Sequence, residues 1–147
     1  MRDMISNYQT VDLSTDTLSG TTPNASDWLD TRGFSAAAIE VLTGLVTDAG
    51  TAAGFTATLQ HSDTTADADA VAVPAAEAAG GVVAVTVTDD ASDNIVAGAL
   101  GYLGNKRFVR VNYVGTTGTA AVVRTVGRMG KPHTAPTTYV GAAVAAT

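Results

Sequence analysis

Apolar residues alternate with polar or small residues through much of the chain, and this period of two constrains the fold most strongly. The alternation is clearest over residues 37–42, 55–60, 83–88 and 108–113. Successive side chains of a β-strand point to opposite faces of a sheet, so each of these segments can bury one face. The chain also contains 23 Thr and 18 Val, and β-branched residues favour strands over helices. The pattern predicts an all-β protein, an antiparallel β-sandwich with a jelly-roll-like fold.

Two glycine-containing turns divide the strands near the end of the chain. Gly104-Asn105 separates residues 95–103 from residues 106–114, and Gly115-Thr116-Thr117-Gly118 separates the latter from residues 119–127. Turn residues at these positions are typical of connections between adjacent antiparallel strands. We therefore predict that these three strands pair in sequence order as a meander.

Composition divides the chain into an arm, a domain and a tail. Residues 1–27 are rich in Thr, Ser, Asn and Asp, so they are predicted to form an extended N-terminal arm with at most a short strand. Residues 28–140 form the predicted β-sandwich domain, and residues 141–147 form a short C-terminal tail. The sequence has no apolar run of signal-peptide or membrane-spanning length, so we expect synthesis in the cytoplasm and no membrane partner.

Charge is distributed unevenly along the sequence. Residues 1–93 contain all 14 acidic residues and two arginines, whereas residues 94–147 contain six basic residues and no acidic one. The net charge of −6 argues against nucleic acid as a direct partner, because nucleic-acid-binding domains are usually basic. One interpretation is a basic patch on neighbouring strands, facing an acidic partner surface or the acidic half of a sister protomer; its members would be Arg107, Arg110, Arg124, Arg128 and Lys131. The alternative is neutralisation of these side chains within one protomer.

Few residues offer catalytic or metal-binding chemistry. His61 precedes Ser62-Asp63, but contiguous residues cannot adopt the geometry of a Ser-His-Asp triad. His133 lies between two prolines, which favours a packing or interface role. Acidic clusters at residues 63–69 and 89–93 lack the spacing of a calcium loop, and the chain has no cysteine for a thiolate site. We expect no enzymatic activity, no catalytic residue, no cofactor and no bound metal.

Short motifs distributed along the chain provide a further indication. They are Met1–Tyr8, Asp30–Phe34, Leu59–Asp63, Gly101–Val111, Val122-Val123 and Gly130–His133. Together they resemble motifs of the tailed-bacteriophage head decoration, or capsid cement, proteins. The resemblance spans most of the chain. It implies a β-sandwich or jelly-roll module that binds the outside of an icosahedral shell in many copies, most often as a homotrimer and sometimes as a dimer.

The resemblance implies a structural role on the capsid exterior of a virion. The partner would be the major capsid protein, and the protein would clamp neighbouring subunits while its arm orders on them. The alternative is another virion component with the same sandwich, such as a head-fibre base, neck or tail protein; a calcium- or carbohydrate-binding module is a different class. Large aromatic side chains such as Trp28 are candidates for an interface, but they can also anchor a hydrophobic core. The candidate interface residues are Tyr8, Trp28, Arg107, Arg110, Arg124, Arg128, Lys131 and His133.

Overall fold

The computed structural model describes residues 7–50 and 54–133, and this part of the chain forms two antiparallel sheets around one core. Its strands are β1 (Tyr8–Ser19), β2 (Asn24–Ala25), β3 (Leu29–Asp30), β4 (Phe34–Asp48), β5 (Phe55–Ser62), β6 (Val71–Ala72), β7 (Ala84–Val87), β8 (Val96–Tyr102), β9 (Phe108–Val114) and β10 (Ala120–Pro132). Short 3-10 turns at Asp67–Asp69, Ala75–Glu77 and Ala79–Gly81 lie between β5 and β7. The predicted all-β antiparallel sandwich is confirmed.

The strand order is that of a jelly roll. The first sheet has the order β1-β10-β4-β8. In the second sheet β9 pairs with β5, the short strands β2 and β3 pair with the free edge of β9, and β6 and β7 pair with the free edge of β5. Each pair of short strands fills one position, so both sheets are four positions wide. Eight positions in two sheets, with strands from the two ends of the chain side by side, form a jelly roll.

The predicted meander is wrong in its pairing, although its three strands lie where expected. β8 and β10 belong to the first sheet, whereas β9 lies between β2 and β5 in the second. The turns at Gly104-Asn105 and residues 115–118 therefore carry the chain from one sheet to the other. Turn residues show where the chain reverses, but the next strand can bury its apolar face in either sheet of a sandwich.

β1 replaces most of the predicted arm. It pairs with β10 from Tyr8 opposite Gly130 to Ser19 opposite Ala120, and its residues Val11, Leu13 and Leu18 are buried in the core. The prediction of a separate arm is therefore wrong for residues 7–27. Polar composition misled here because the Thr, Ser and Asp residues of an edge strand with one solvated face resemble a loop. Residues 1–6, the predicted domain end at 140 and the tail 141–147 lie outside the described residues.

The core lies between the two sheets and consists mainly of aliphatic side chains. Its most deeply buried members include Ile39, Val41, Leu59, Leu100, Val109, Val111 and Val123. Leu29 enters this core at a point where β10 carries a glycine. A Cβ atom on Gly127 would lie 2.7 Å from Leu29 Cδ1, so the absent side chain lets β3 pack against the first sheet.

Tyr113 of β9 brings a hydroxyl group into the core. This hydroxyl lies 2.6 Å from Thr125 Oγ1, and burial raises the pKa of Tyr113 to about 12. The hydrogen bond satisfies the buried polar group and links the two sheets.

We expect the free energy of unfolding to fall as pH rises from about 10 to about 12. An unfolded tyrosine ionises near pH 10, so in this interval the unfolded chain loses its proton while folded Tyr113 keeps it. The loss should reach at most about 3 kcal/mol. Denaturant titrations at successive pH values should show that Tyr113→Phe removes most of this slope; Tyr102, whose pKa burial also raises, supplies the remainder. An unchanged slope in the variant would contradict the assignment.

Candidate interaction surface

Apolar side chains are exposed at one end of the first sheet, where β4 ends and β8 begins. Leu45, Ile95 and Val96 are 58%, 45% and 60% exposed. Val96 is the cross-strand partner of Leu42, so these two side chains lie on the same face of the sheet. Ile95 precedes β8, and its carbonyl accepts a hydrogen bond from the Thr43 N–H at 2.9 Å, so Ile95 lies beside the end of β4. We call Leu42, Leu45, Ile95 and Val96 the β4–β8 patch. Clustered exposed hydrophobic residues are typical of protein-binding surfaces.

The loop before β8 is fastened to β4 by side-chain hydrogen bonds and holds the patch in place. The Val46 N–H donates to Asp93 Oδ1 at 2.5 Å, and the Ala49 N–H donates to Asp90 Oδ1. The Thr43 hydroxyl donates to the Ser92 carbonyl at 2.6 Å. These carboxylates satisfy backbone N–H groups of β4 and the residue after it, beyond the reach of β8. Across the described residues, no group of three or more His, Asp or Glu converges as a metal site would require.

The predicted basic patch does not form on the first sheet, because both of its arginines there are paired within the protomer. Arg124 donates through Nε and Nη2 to the two carboxylate oxygens of Asp12, at 3.1 and 2.9 Å. Arg128 lies 2.6 Å from Glu40 and donates to the Tyr8 hydroxyl at 2.5 Å. These pairs connect β10 to both of its neighbours, β1 and β4.

The remaining two arginines lie on the second sheet and are also paired. Arg107 makes a bidentate contact with Asp30 at 3.0 and 2.7 Å, and this hydrogen bonding lowers the pKa of Asp30. Arg110 forms an ion pair with Asp67. A single basic patch was wrong because β9 and β10 lie in different sheets. The alternative of neutralisation within the protomer is confirmed for these four arginines.

Trp28 is 0% exposed, so its side chain cannot contact a partner from this conformation. Its indole N–H donates to the Thr65 carbonyl at 3.0 Å, its ring centroid lies 6.4 Å from that of Phe108 in an edge contact, and the Arg110 guanidinium carbon lies 4.3 Å from its ring centroid. Its assignment to an interface is wrong, and the anchoring interpretation fits the structure.

Tyr8, Lys131 and His133 lie at the end of the first sheet away from the β4–β8 patch. Tyr8 pairs with Gly130, and exposed Lys131 follows it with a positive φ of 53°. His133 is held by its backbone N–H, which donates to the Gly33 carbonyl at 2.8 Å, and its Nε2 lies 3.1 Å from Ser35 Oγ. The structure thus brings these residues and Arg128 to one end of the first sheet, whereas Arg110 lies on β9 of the second sheet.

His61 belongs to a buried polar group. Its Nδ1 lies 3.0 Å from the Tyr102 hydroxyl and 3.4 Å from Glu77 Oε2, and the Lys106 N–H donates to the same hydroxyl at 2.8 Å. The group links the connection between β8 and β9 to the second sheet. His61 and Ser62 are adjacent on β5 and point to opposite faces of the sheet, so they do not form a triad.

Within residues 7–50 and 54–133, none of the helical segments has the length and hydrophobicity needed to cross a bilayer.

Comparison with known proteins assigns no family to the chain. No protein-family model and no curated protein matches it. One similar solved chain belongs to Bacillus endospore appendages, described as a novel family of disulfide-linked pili; it is 11% identical, with a TM-score of 0.34, over 88% of this chain and 96% of that chain. This similarity is too low to transfer a function.

Proposed function

We propose that the protein is a structural, non-enzymatic virion component that decorates the capsid exterior of a tailed bacteriophage and clamps neighbouring major capsid subunits. The observation that carries the proposal is the β4–β8 patch, where Leu45, Ile95 and Val96 are each at least 45% exposed. Removal of such side chains from water provides the driving force of protein association. The partner in this proposal is the capsid surface, bound by a homotrimer.

The surroundings of the patch favour a protein partner. Arg124 and Arg128 on the same sheet are neutralised by Asp12 and Glu40, and exposed Lys131 lies at the opposite end of that sheet, so the patch itself offers apolar contacts. Interface centres are depleted in charge, and polar pairs lie around them. Asp90 and Asp93 accept hydrogen bonds from backbone N–H groups at the end of β4 and fix the loop before β8. Because the patch is already ordered, docking costs little conformational entropy.

The jelly-roll fold and the motif resemblance support the identity of the partner. A rigid β-sandwich can present one whole sheet face to the capsid surface, and the symmetry of the capsid repeats that contact many times. Modest binding energies per copy then add up across linked sites, and binding to the assembled shell alone would stabilise it by mass action.

We expect Val96→Glu to weaken binding to capsids by at least about a hundredfold, because docking would bury an unpaired carboxylate. The side chain is 60% exposed in the free protomer, so the melting temperature should stay unchanged. Co-sedimentation with tailed-phage capsids lacking this protein measures the binding. The matched control is Val71→Glu, which adds the same charge at a 52% exposed site on the second sheet and should bind normally.

Imaging of particles carrying the unmodified protein separates the virion roles. Symmetric density over the capsid exterior supports decoration, whereas a few copies at one vertex or along the tail would overturn it in favour of a head-fibre base, neck or tail protein. Full occupancy by Val96→Glu would show that the β4–β8 patch is not the docking surface. Equal loss in both variants would exclude a specific role for the patch.

A further inference from the structure

A polar depression of about 380 Å³ lies on the outer face of the second sheet, away from the β4–β8 patch. Its lining comes from the segment around β2, from β9 and from the loop after β5: Pro23, Asn24, Ala25, Asp67, Arg110 and Asn112. The volume is at the lower end of the range of about 300–1,000 Å³ that is typical of small-molecule sites.

Arg110 is fixed from several sides at this depression. Its side chain is only 6% exposed, its Nε donates to Gln60 Oε1 at 3.0 Å, and its Nη1 donates to Asp67 Oδ1. The guanidinium carbon lies 4.3 Å from the centroid of the Trp28 ring, a distance at which a cation–π contact forms. The ion pair with Asp67 contributes little net stability, because burial costs Arg110 its water while the exposed Asp67 carboxylate stays screened by solvent. A guanidinium held this rigidly is, however, preorganised to bind a ligand.

The lining groups define the chemistry of that ligand. Arg110 and Asp67 neutralise each other, so the depression has no net charge to attract an ion. Asn112 and Asn24 add amide groups that both donate and accept hydrogen bonds, and Asp67 is 61% exposed with a second carboxylate oxygen that can accept. Arg110 is the strongest donor of the set. Convergent donors and acceptors without net charge match a neutral polyhydroxylated molecule.

We propose that this depression binds a neutral sugar residue. Hydroxyl groups of the sugar donate to Asp67 and accept from Arg110 and Asn112. The site lies on the sheet opposite the β4–β8 patch, so it stays accessible when the first sheet is docked. The inference stands on the geometry of the second sheet alone and does not depend on the proposed capsid role.

The test is titration of the ¹⁵N-labelled full chain with glucose, galactose, mannose and N-acetylglucosamine at millimolar concentrations, observed by amide chemical shifts. At least one sugar should shift the resonances of Ala25, Asp67 and Asn112 in a saturable manner. Glucuronic acid and glucosamine add one negative or one positive charge to the same ring and should bind several-fold more weakly. Failure of all four neutral sugars to shift these resonances would overturn the proposal, as would tighter binding of either charged sugar.

Asn112→Ala should weaken sugar binding at least about tenfold and leave the melting temperature unchanged, because Asn112 is only partly buried on the outer face of β9. Thr86→Ala is the control, since Thr86 is exposed at the far edge of the same sheet on β7. Arg110→Lys keeps the charge but removes the planar fork, and should also weaken binding. If Asn112→Ala and Thr86→Ala bind equally well, the depression is not the site, and Arg110 serves only to hold the loop at Asp67.

Discussion

A chain shortened to residues 20–147 will not form the native sandwich. Its far-ultraviolet circular dichroism should lose the strand signal, and its amide resonances should collapse into the narrow range of an unfolded chain. Full-length protein should show dispersed resonances and a cooperative thermal transition under the same conditions. This is the largest effect that we expect from any single change to the molecule.

The expectation follows from what β1 contributes to the first sheet. Its removal exposes one edge of β10 over the whole span from Ala120 to Gly130 and removes Val11, Leu13 and Leu18 from the core. Burial of three such side chains provides about 6 kcal/mol, which is comparable with the whole stability of a typical domain, about 5–15 kcal/mol. The ion pair between Arg124 and Asp12 is lost as well.

A chain shortened to residues 7–147 is the matched control, because it keeps all of β1. It should melt within a few degrees of the full-length protein. A dispersed spectrum from residues 20–147 would contradict the role assigned to β1 and would restore the interpretation of this region as a separable arm. The truncation therefore measures folding, and docking is better tested by Val96→Glu.

Alternation predicted most of the strands from the sequence, but their arrangement required the structure. Residues 37–42, 55–60 and 83–88 lie within or overlap β4, β5 and β7, because period two records which face of a strand is buried. β9 pairs with β5 and not with β8 or β10. The sequence of β9 does not show this choice, because the same face of β9 is buried whichever strand is its neighbour. Long-range order in a sandwich comes from packing between sheets.

The roles of the charged and exposed residues were harder to predict, because they depend on which strands are neighbours in the fold. Each arginine of the predicted basic patch has its partner far away in sequence, such as Asp12 for Arg124 and Asp30 for Arg107, so pairing depended on a topology that was predicted wrongly. The β4–β8 patch was missed, although consecutive Ile95-Val96 breaks the alternation and could have indicated it. In the sequence, Asp90 and Asp93 are part of an acidic cluster with no assigned role. In the structure, their carboxylates accept hydrogen bonds from the backbone N–H groups of Val46 and Ala49.

Trp28→Ala should lower the free energy of unfolding by about 3–5 kcal/mol, the usual cost of deleting a fully buried large ring. The side chain is 0% exposed, and its removal also takes away the partner that lies 4.3 Å from the guanidinium carbon of Arg110. The hydrogen bond from the indole N–H to the Thr65 carbonyl is lost as well, which adds to the loss of stability. For a domain of this size the melting temperature should fall by roughly 10 °C.

Trp28→Phe separates the contributions to this loss, because it keeps an aromatic surface against Arg110 and Phe108 but removes the indole N–H. We expect a loss of less than half that of Trp28→Ala, measured by thermal and urea unfolding of both variants beside the unmodified chain. An interface residue would behave differently: Trp28→Ala would leave unfolding of the protomer unchanged and would reduce only its association with partners. That outcome would contradict the buried position of Trp28. A large loss of stability would instead show that the indole holds β9 and the loop after β5 together, through its contacts with Arg110 and the Thr65 carbonyl.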